Sequence, residues 1–257
     1  MVCNSGTRLV PTIDGKMHHF TNAGLYDALF VMQDTETKTL WNHITGEALY
    51  GPLAGRTLGP IGNLLQMNVK QALAIDPSIE VAISDRTYFA GGRQFGSASG
   101  FRGSGADRGT GPARGAGPGP DNPNAALSEL FVPTLGKEDP RRPRMDMGLG
   151  LWSGTTRRYY PMERIRERGE AFIDEVGGKK VLIYIEPESG TPAALFVSSK
   201  TAKLQGNEVR LDNGAVVRSG MLLGRNGKSQ SVERPQQIFT RWYGFALTFP
   251  ESEIFGQ

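Results

Sequence analysis

Gly51-Pro52-Leu53-Ala54-Gly55-Arg56 reappears in the same form as Gly220-Met221-Leu222-Leu223-Gly224-Arg225, and this repeated stretch decides the fold expected from the sequence. Further upstream, Ser5-Gly6-Thr7 precedes the first copy and Ser189-Gly190-Thr191 precedes the second. Downstream, each copy is followed by a helix-like segment, a proline and a short segment that contains an acidic residue. The shared order of these signals predicts a tandem duplication of one structural unit.

Short strand-like segments surround both copies. They are rich in β-branched and aromatic residues, and turn compositions such as Asp14-Gly15 and Asp212-Asn213-Gly214 separate them. Asp-Gly tolerates the positive φ angles of a primed turn, so we expect a hairpin at residues 13–16. The predicted strands are 8–13, 17–21, 28–33 and 40–45 in the first half, and 181–185, 193–197, 208–211 and 215–217 in the second.

Each predicted unit also contains a helix and a closing strand. Residues 67–75 have helical spacing and end at Asp76-Pro77, after which 78–83 alternates like a strand. Residues 235–248 keep Ile238, Trp242 and Phe245 on one helical face, and 253–255 forms the final strand. A short charged helix or turn is expected at 162–168. The predicted fold class is therefore α+β and β-rich, with one main helix in each of two related mixed units.

The two units differ at their start. The second unit runs from residue 147 to 188 before its Ser-Gly-Thr, whereas the first reaches Ser-Gly-Thr at residue 5. A counterpart of the strand at 181–185 would have no sequence in the first unit. We therefore expect the first unit to lack its opening segment, and we divide the chain into a first unit 1–90, an insert and linker 91–140, and a second unit 141–257.

The segment 91–124 contains eleven glycines, mixed with proline, serine, alanine and scattered arginines. It has too few apolar residues to offset the conformational entropy of ordering, so it is interpreted as a flexible spacer. An Arg-Gly RNA-binding tail would need a denser run of arginines. The net charge of +3 adds no argument for a nucleic-acid partner.

Composition excludes some protein classes. No segment reaches the roughly 18 consecutive apolar residues of a membrane-spanning helix, and the first residues show no apolar signal-peptide core. A single cysteine, Cys3, excludes a disulfide within the chain. The sequence indicates neither a cofactor nor an oligomeric state.

Several motifs resemble a bacterial family catalogued as domain of unknown function 3179. They are Cys3-Asn4-Ser5-Gly6-Thr7, Thr21-Asn22-Ala23-Gly24, Leu40-Trp41-Asn42-His43-Ile44-Thr45-Gly46-Glu47-Ala48 and Gly51-Pro52-Leu53-Ala54-Gly55. The resemblance implies a bacterial protein, often exported, with no established activity. Family members commonly carry a segment before the cysteine and a second cysteine nearby, and this chain has neither, so its cellular location stays open.

The strongest candidates for catalysis lie in the first half. Cys3 is a possible thiolate nucleophile, His43 its base, and Glu47 the carboxylate that would orient the imidazole. The alternative is that Cys3 is a small apolar strand residue, as most free cysteines are.

Metal binding is not predicted. Neighbouring residues of a strand face opposite sides, so at most one of His18 and His19 could join a site. A set of Cys3, one of these histidines and His43 would leave an open coordination position, but its spacing matches no metal-binding signature.

Trp41, Arg56 and Asn22 are the candidates for ligand binding. Arg56 and Arg225 occupy equivalent places in the repeated stretch, which indicates either a turn whose arginine pairs with a carboxylate or an anion site. We predict a module that binds a small molecule in the cleft between its two units. The alternative is a hydrolase, transferase or redox enzyme centred on Cys3 and His43.

Overall fold

The computed structural model describes residues 6–59, 62–83, 127 and 131–257. Within these ranges short strands dominate, and the helices are α1 (Val69–Ile75), α2 (Met162–Glu167) and α3 (Trp242–Thr248), with a 3-10 turn at Val132–Thr134. In the part of the chain described, no helix has the length and apolar character needed to cross a membrane. The β-rich class predicted from sequence is confirmed.

The first half contains eight strands within the described ranges. They are β1 (Thr7–Arg8), β2 (Thr12–Ile13), β3 (Lys16–Met17), β4 (Phe20–Tyr26), β5 (Leu29–Asp34), β6 (Leu40–Asn42), β7 (Ala48–Tyr50) and β8 (Gly62–Asn63). Strands β4 to β7 form an antiparallel meander, β2 pairs with β3, and β1 pairs with β8. The predicted hairpin is confirmed, because Asp14 (φ 49°) and Gly15 (φ 78°) form the turn between the paired residues Ile13 and Lys16.

The second half contains twelve strands. They are β9 (Met147–Ser153), β10 (Thr156–Pro161), β11 (Ala171–Val176), β12 (Lys179–Ile185), β13 (Pro192–Phe196), β14 (Ala202–Gln205), β15 (Glu208–Leu211), β16 (Val216–Arg218), β17 (Met221–Leu223), β18 (Ser229–Gln230), β19 (Gln236–Arg241) and β20 (Glu253–Ile254). They form the sheets β19-β9-β10-β20, β11-β12-β13 and β14-β15-β16-β17-β18. Every pairing is antiparallel except that of β10 with β20.

Strand β9 lies at the centre of the core. Its odd-numbered residues, such as Leu149, pack against β12, while its even-numbered side faces α3. On the even side, a Cβ atom at Gly150 would collide with the ring of Phe245, and one at Gly148 would collide with Tyr159. These two glycines therefore let aromatic side chains lie directly on the strand.

The two halves share this core. Ala28, Leu29 and Ile44 from the first half pack in one cluster with Trp242 and other residues of the second. The turn between β4 and β5 is held by Thr134, whose carbonyl accepts a bond from the Asp27 N–H (2.9 Å) and whose hydroxyl accepts one from Ala28 (3.1 Å).

The C-terminal part of the predicted insert and linker 91–140 packs against the core. Leu127 is buried in the shared cluster, and Phe131 and Leu135 pack against it. The Gly136 N–H donates to the Asp27 carboxylate at 2.9 Å. Residues 84–126 lie outside the described residues, so the predicted spacer at 91–124 stays a prediction.

Two predicted elements are wrong. Residues 235–248 are not one helix, because β19 pairs with β9 from Gln236 to Arg241 and only α3 is helical. The apolar spacing of Ile238, Trp242 and Phe245 fits a helix. Backbone pairing with β9 nevertheless makes Gln236–Arg241 a strand. Residues 78–83 form no strand, since they have no partner strand within the described ranges.

The other main elements agree with expectation. Helix α1 is capped at Asn68, whose side chain accepts a bond from the Gln71 N–H while the Gln71 side chain accepts one from Asn68 N. Strands β12, β13, β15 and β20 lie where they were predicted.

The duplication stays a prediction. In the repeated stretch, Gly51 and Gly220 both have positive φ, but residues 52–55 form turns whereas Met221–Leu223 is strand β17. Each copy does precede a seven-residue helix. Ser5 lies outside the described residues.

Replacing Gly150 with alanine tests the packing of α3 on β9. The new methyl group would meet the Phe245 ring, so the free energy of unfolding should fall by about 1–3 kcal/mol or more. Urea unfolding measures this loss. Gly59→Ala is the control, because nothing lies within 4 Å of a Cβ there and φ is not positive; equal effects of both substitutions would contradict the packing described.

Candidate functional site

A pocket lies between the two halves of the chain, and we call it the inter-half pocket. The first half supplies the wall formed by Leu64, Leu65, Gln66, Met67 and Gln71. The second half supplies Leu149, Tyr184, Glu186, Thr191, Pro192, Ala193, Ser219, Gly220, Gln237 and Phe239. The lining is mostly apolar, with a few polar groups, as is typical of small-molecule sites.

Side-chain hydrogen bonds dock the first-half wall onto the second half. The Asn63 amide donates to the Pro235 carbonyl (2.8 Å) and accepts from the Gln237 N–H (2.9 Å), so β8 lies beside β19. The Thr191 hydroxyl donates to the Gln66 carbonyl at 2.9 Å. These hydrogen bonds hold the first-half wall in a defined position on the second half.

Glu186 is the carboxyl group among the residues that line this pocket, and it is buried. It follows β12 directly, and its N–H donates to the Thr191 carbonyl at 2.8 Å, which closes the loop to β13. Its side chain is only 5% exposed. One carboxyl oxygen, Oε2, accepts the Gly220 N–H at 3.0 Å, whereas Oε1 has no hydrogen-bond partner within the described residues.

Burial raises the pKa of Glu186, because removal from water disfavours the charged form. Hydrogen bonds from the backbone of Gly220 and Glu188, and a smaller effect of the Gln71 side chain, act in the opposite direction. A buried carboxyl oxygen without a partner is costly to the fold. Such an atom is a reason to look for a ligand that supplies the missing donor.

The Gly220 N–H reaches Glu186 because of a tight turn between β16 and β17. Ser219 (φ 48°) and Gly220 (φ 75°) both have left-handed backbone conformations in this turn, and Arg218 pairs with Met221 across it. For a residue other than glycine this conformation costs about 1 kcal/mol or more. Ser219 lines the pocket, so the strained turn places both residues at the site.

The space inside the pocket is small. About 30 Å³ is accessible to the centre of a water molecule, and about 450 Å³ is free of atoms when the open mouth is included. The inner part holds about two water molecules or a group of similar size. A larger ligand would therefore place only one end beside Glu186.

A second cluster of ionisable groups lies at the edge of the β4–β7 sheet. The His18 Nδ1 atom lies 3.4 Å from Asp34 Oδ1 and 3.8 Å from Glu36 Oε2, and the His19 Nδ1 atom lies 2.7 Å from Glu36 Oε1. Of the two histidines, His18 lies within 4.8 Å of both carboxylates, as expected for at most one of the pair, and His19 bonds Glu36 from outside this group. Both histidines lie between β3 and β4 in backbone that does not alternate.

Asp34 is fully buried and held by several donors. Trp41 Nε1 donates to Oδ2 at 2.8 Å, and the Thr37 N–H donates to Oδ1 at 2.6 Å. Burial raises the pKa of Asp34, but these hydrogen bonds outweigh it and lower the pKa to about 2. Bonds from the His19 ring and backbone lower the pKa of Glu36 to about 2 as well.

The predicted catalytic residues are only partly described. Cys3 lies outside the described residues. The His43 Nδ1 atom donates to the Phe30 carbonyl, 2.8 Å away, rather than to the Glu47 carboxylate. Burial lowers the pKa of His43, against the opposing effect of the Phe30 carbonyl. Glu47 lines a separate cleft beside Asn42.

The predicted ligand-binding residues lie apart from the inter-half pocket. Trp41 is fully buried against Asp34, so it offers no exposed surface. The exposed Arg56 pairs with Asp14 at 2.5 Å, the structural role that was one of its two interpretations. Asn22 accepts the Gly24 N–H at 3.1 Å beside a β-bulge. Their roles in binding stay predictions.

Sequence reasoning missed Glu186 and Ser219. The available signal was the position of Glu186 directly after the apolar run 181–185, since a buried strand can carry the residue that follows it into the interior. Ser219 lines the same pocket because of the turn between β16 and β17, and no short sequence motif predicts this position.

Comparison with known proteins identifies one family. The model of the family described as Protein of unknown function (DUF3179) matches residues 1–252. No curated protein and no solved structure matches this chain.

Glu186→Gln tests the burial of this carboxyl through the pH dependence of stability. Since the folded-state pKa is raised, the wild type is most stable below the ordinary value of 4.5 and loses stability as pH rises through the folded-state pKa. Glutamine can accept the Gly220 bond and does not ionise. The variant should match the wild type near about pH 4 and be more stable near about pH 7.

Urea unfolding across this range measures the difference. Glu175→Gln is the control, because Glu175 is an exposed carboxylate on β11. A difference between the Glu186 variant and the wild type that stays constant with pH would show that this carboxyl is not buried.

Proposed function

Because the chain belongs to the family described as Protein of unknown function (DUF3179), whose name carries no activity, we propose a function from the site itself. The protein binds a small molecule in the inter-half pocket, with Glu186 as the group that recognises it. In this proposal, the inter-half pocket is the binding cleft that the sequence analysis predicted between the two units.

The observation that carries the proposal is the Glu186 Oε1 atom, which is buried without a hydrogen-bond partner within the described residues. A ligand that donates an N–H to this atom would remove the cost of leaving it unpaired. Hydrogen bonds to charged groups contribute about 1.5–3 kcal/mol, so such a donor would supply a large part of the affinity of a small ligand.

Charge favours a ligand that carries a basic nitrogen. Glu188, on the same loop, adds negative charge that raises the pKa of Glu186. Two basic side chains near the pocket have other partners: Arg234 donates to the carbonyls of Ala194 (2.8 Å) and Gly220 (2.7 Å), and the exposed Lys70 lies 3.4 Å from Glu188. An ammonium group could therefore pair with Glu186 where no arginine already does.

The lining favours a short apolar body behind this nitrogen. Leu65, Leu149 and Phe239 surround the inner space, and Met67 lies at the wall from the first half. Apolar contact of this kind stabilises binding by about 25 cal/mol per Å² of surface removed from water. We therefore assign the ligand to the class of small alkyl amines, or to the amine end of a longer molecule.

NMR with ethylammonium as the probe tests this assignment. The Gly220 amide donates to Glu186 Oε2, so its resonance should shift saturably as ethylammonium binds at Oε1. Affinity should rise with pH through the raised pKa of Glu186, because the carboxylate is the form that pairs with the cation.

Glu186→Gln should weaken this binding about tenfold or more, whereas Glu175→Gln should leave it unchanged. Acetamide and propanol are neutral hydrogen-bond donors and serve as comparison ligands. Weaker binding of both than of ethylammonium would show that the site prefers a positive charge to a neutral donor. Absence of a saturable shift with ethylammonium, or the same shift in the Glu186 variant, would refute the proposal.

A second candidate is the cysteine enzyme centred on Cys3 and His43. It is favoured by the lowered pKa of His43, which leaves the imidazole neutral near neutral pH and able to accept a proton. Thr7, four residues after Cys3, donates to the His43 carbonyl at 2.7 Å. Its support is weaker, because Cys3 itself lies outside the described residues.

Alkylation by iodoacetamide tests this second candidate. An activated Cys3 should react about tenfold or more faster in the folded protein than in urea, and His43→Ala should remove the difference. His19→Ala is the matched control, since that ring is exposed and bonds Glu36. A folded protein that reacts no faster than the unfolded chain would exclude a Cys3 nucleophile.

A further inference from the structure

The His18, His19, Asp34 and Glu36 cluster plays no part in the inter-half pocket. One ring nitrogen of His18 and one oxygen each of Asp34 and Glu36 all lie within 4.8 Å of one another. His18 is 8% exposed and Asp34 is fully buried, whereas Glu36 and His19 reach the surface. His18 and Asp34 therefore form the buried side of the cluster, and His19 and Glu36 form the side that faces solvent.

The two contacts of the His18 ring are longer than typical hydrogen bonds. The His18 Nδ1 atom lies 3.4 Å from Asp34 Oδ1 and 3.8 Å from Glu36 Oε2. Ligand atoms about 2.05 Å from a tetrahedral ion lie about 3.3 Å from each other. Small side-chain movements would bring the three donor atoms to that spacing.

Local charge also favours a cation. Asp34 and Glu36 form ion pairs only with histidines in the part of the chain described. With both imidazoles neutral, the cluster carries two negative charges. A divalent ion would neutralise them.

The groups around the cluster hold its members in place. Trp41 Nε1 holds Asp34 Oδ2, the Thr37 N–H holds Oδ1, and the Thr37 hydroxyl lies 2.8 Å from both carboxylate oxygens. His19 fixes Glu36 through both its ring nitrogen (2.7 Å) and its backbone N–H (3.0 Å). Outer hydrogen bonds of this kind are typical of carboxylates and histidines that bind metals.

We propose that His18, Asp34 and Glu36 bind a divalent transition-metal ion of the Zn²⁺ type, and that His19 positions Glu36. One imidazole and two carboxylates suit zinc, and three protein ligands leave the fourth position of a tetrahedral ion open to solvent. This site is separate from the Glu186 pocket and does not depend on it.

Isothermal titration calorimetry with Zn²⁺ tests the proposal on the full chain, purified without a histidine tag and stripped with a chelator. The wild type should bind one equivalent, and Co²⁺ should give the visible absorption of a tetrahedral ion. His18→Ala and Glu36→Gln should each weaken binding at least tenfold, and His19→Ala should weaken it about tenfold.

Cys3→Ser and Glu47→Gln are the controls, and both should bind Zn²⁺ as the wild type does. Glu36 lies in an exposed turn, so its variant should keep the wild-type circular dichroism spectrum even if His18→Ala unfolds. Absence of Zn²⁺ binding by the wild type, unchanged binding by Glu36→Gln, or loss of binding in Cys3→Ser would each overturn the proposal.

Discussion

The burial of β9 on both of its faces is the constraint on which the rest of the structure depends. A strand that packs on two sides needs space for large side chains, and Gly148 and Gly150 provide it on the side of α3. Tyr159 fills part of that space, and its hydroxyl donates to the carbonyls of Asp146 (2.9 Å) and Thr240 (3.0 Å). The aromatic core can therefore close over the strand without leaving this polar atom unpaired.

The inter-half pocket follows from the other face of the same strand. Leu149 projects from β9 and Phe239 from the neighbouring β19, and together they form the apolar floor. The first half closes the pocket through the bonds of Asn63 with the backbone of Pro235 and Gln237 and through the bond from Thr191 to Gln66. The site is thus a property of the whole chain, and neither half would form it alone.

The sequence predicted local features well where local chemistry decides them. The Asp14-Gly15 turn, the α1 helix and the strand at β12 depend on nearby residues, and these predictions are confirmed. The β-rich class and the family were also predicted correctly. The duplication predicted from the repeated stretch stays a prediction, and the stretch gave no information on how the two halves pack.

The failures occurred where pairing between distant segments decides the outcome. Gln236–Arg241 forms a strand because β9 offers a partner, although its apolar spacing suits a helix. The position of Glu186 beside Gly220 depends on two hairpins, which sequence spacing does not reveal. The grouping of His18 with Asp34 and Glu36, and the bond from His19 to Glu36, depend on the backbone between β3 and β4, which does not alternate as a strand would.

A crystal structure of the protein soaked with ethylammonium tests the central claim most directly. The account predicts Glu186 turned inward, its Oε2 on the Gly220 N–H, and the probe nitrogen within hydrogen-bond distance of Oε1. A Glu186 side chain that points to solvent, or an Oε1 atom already bonded to a protein group with no space beside it, would contradict the account.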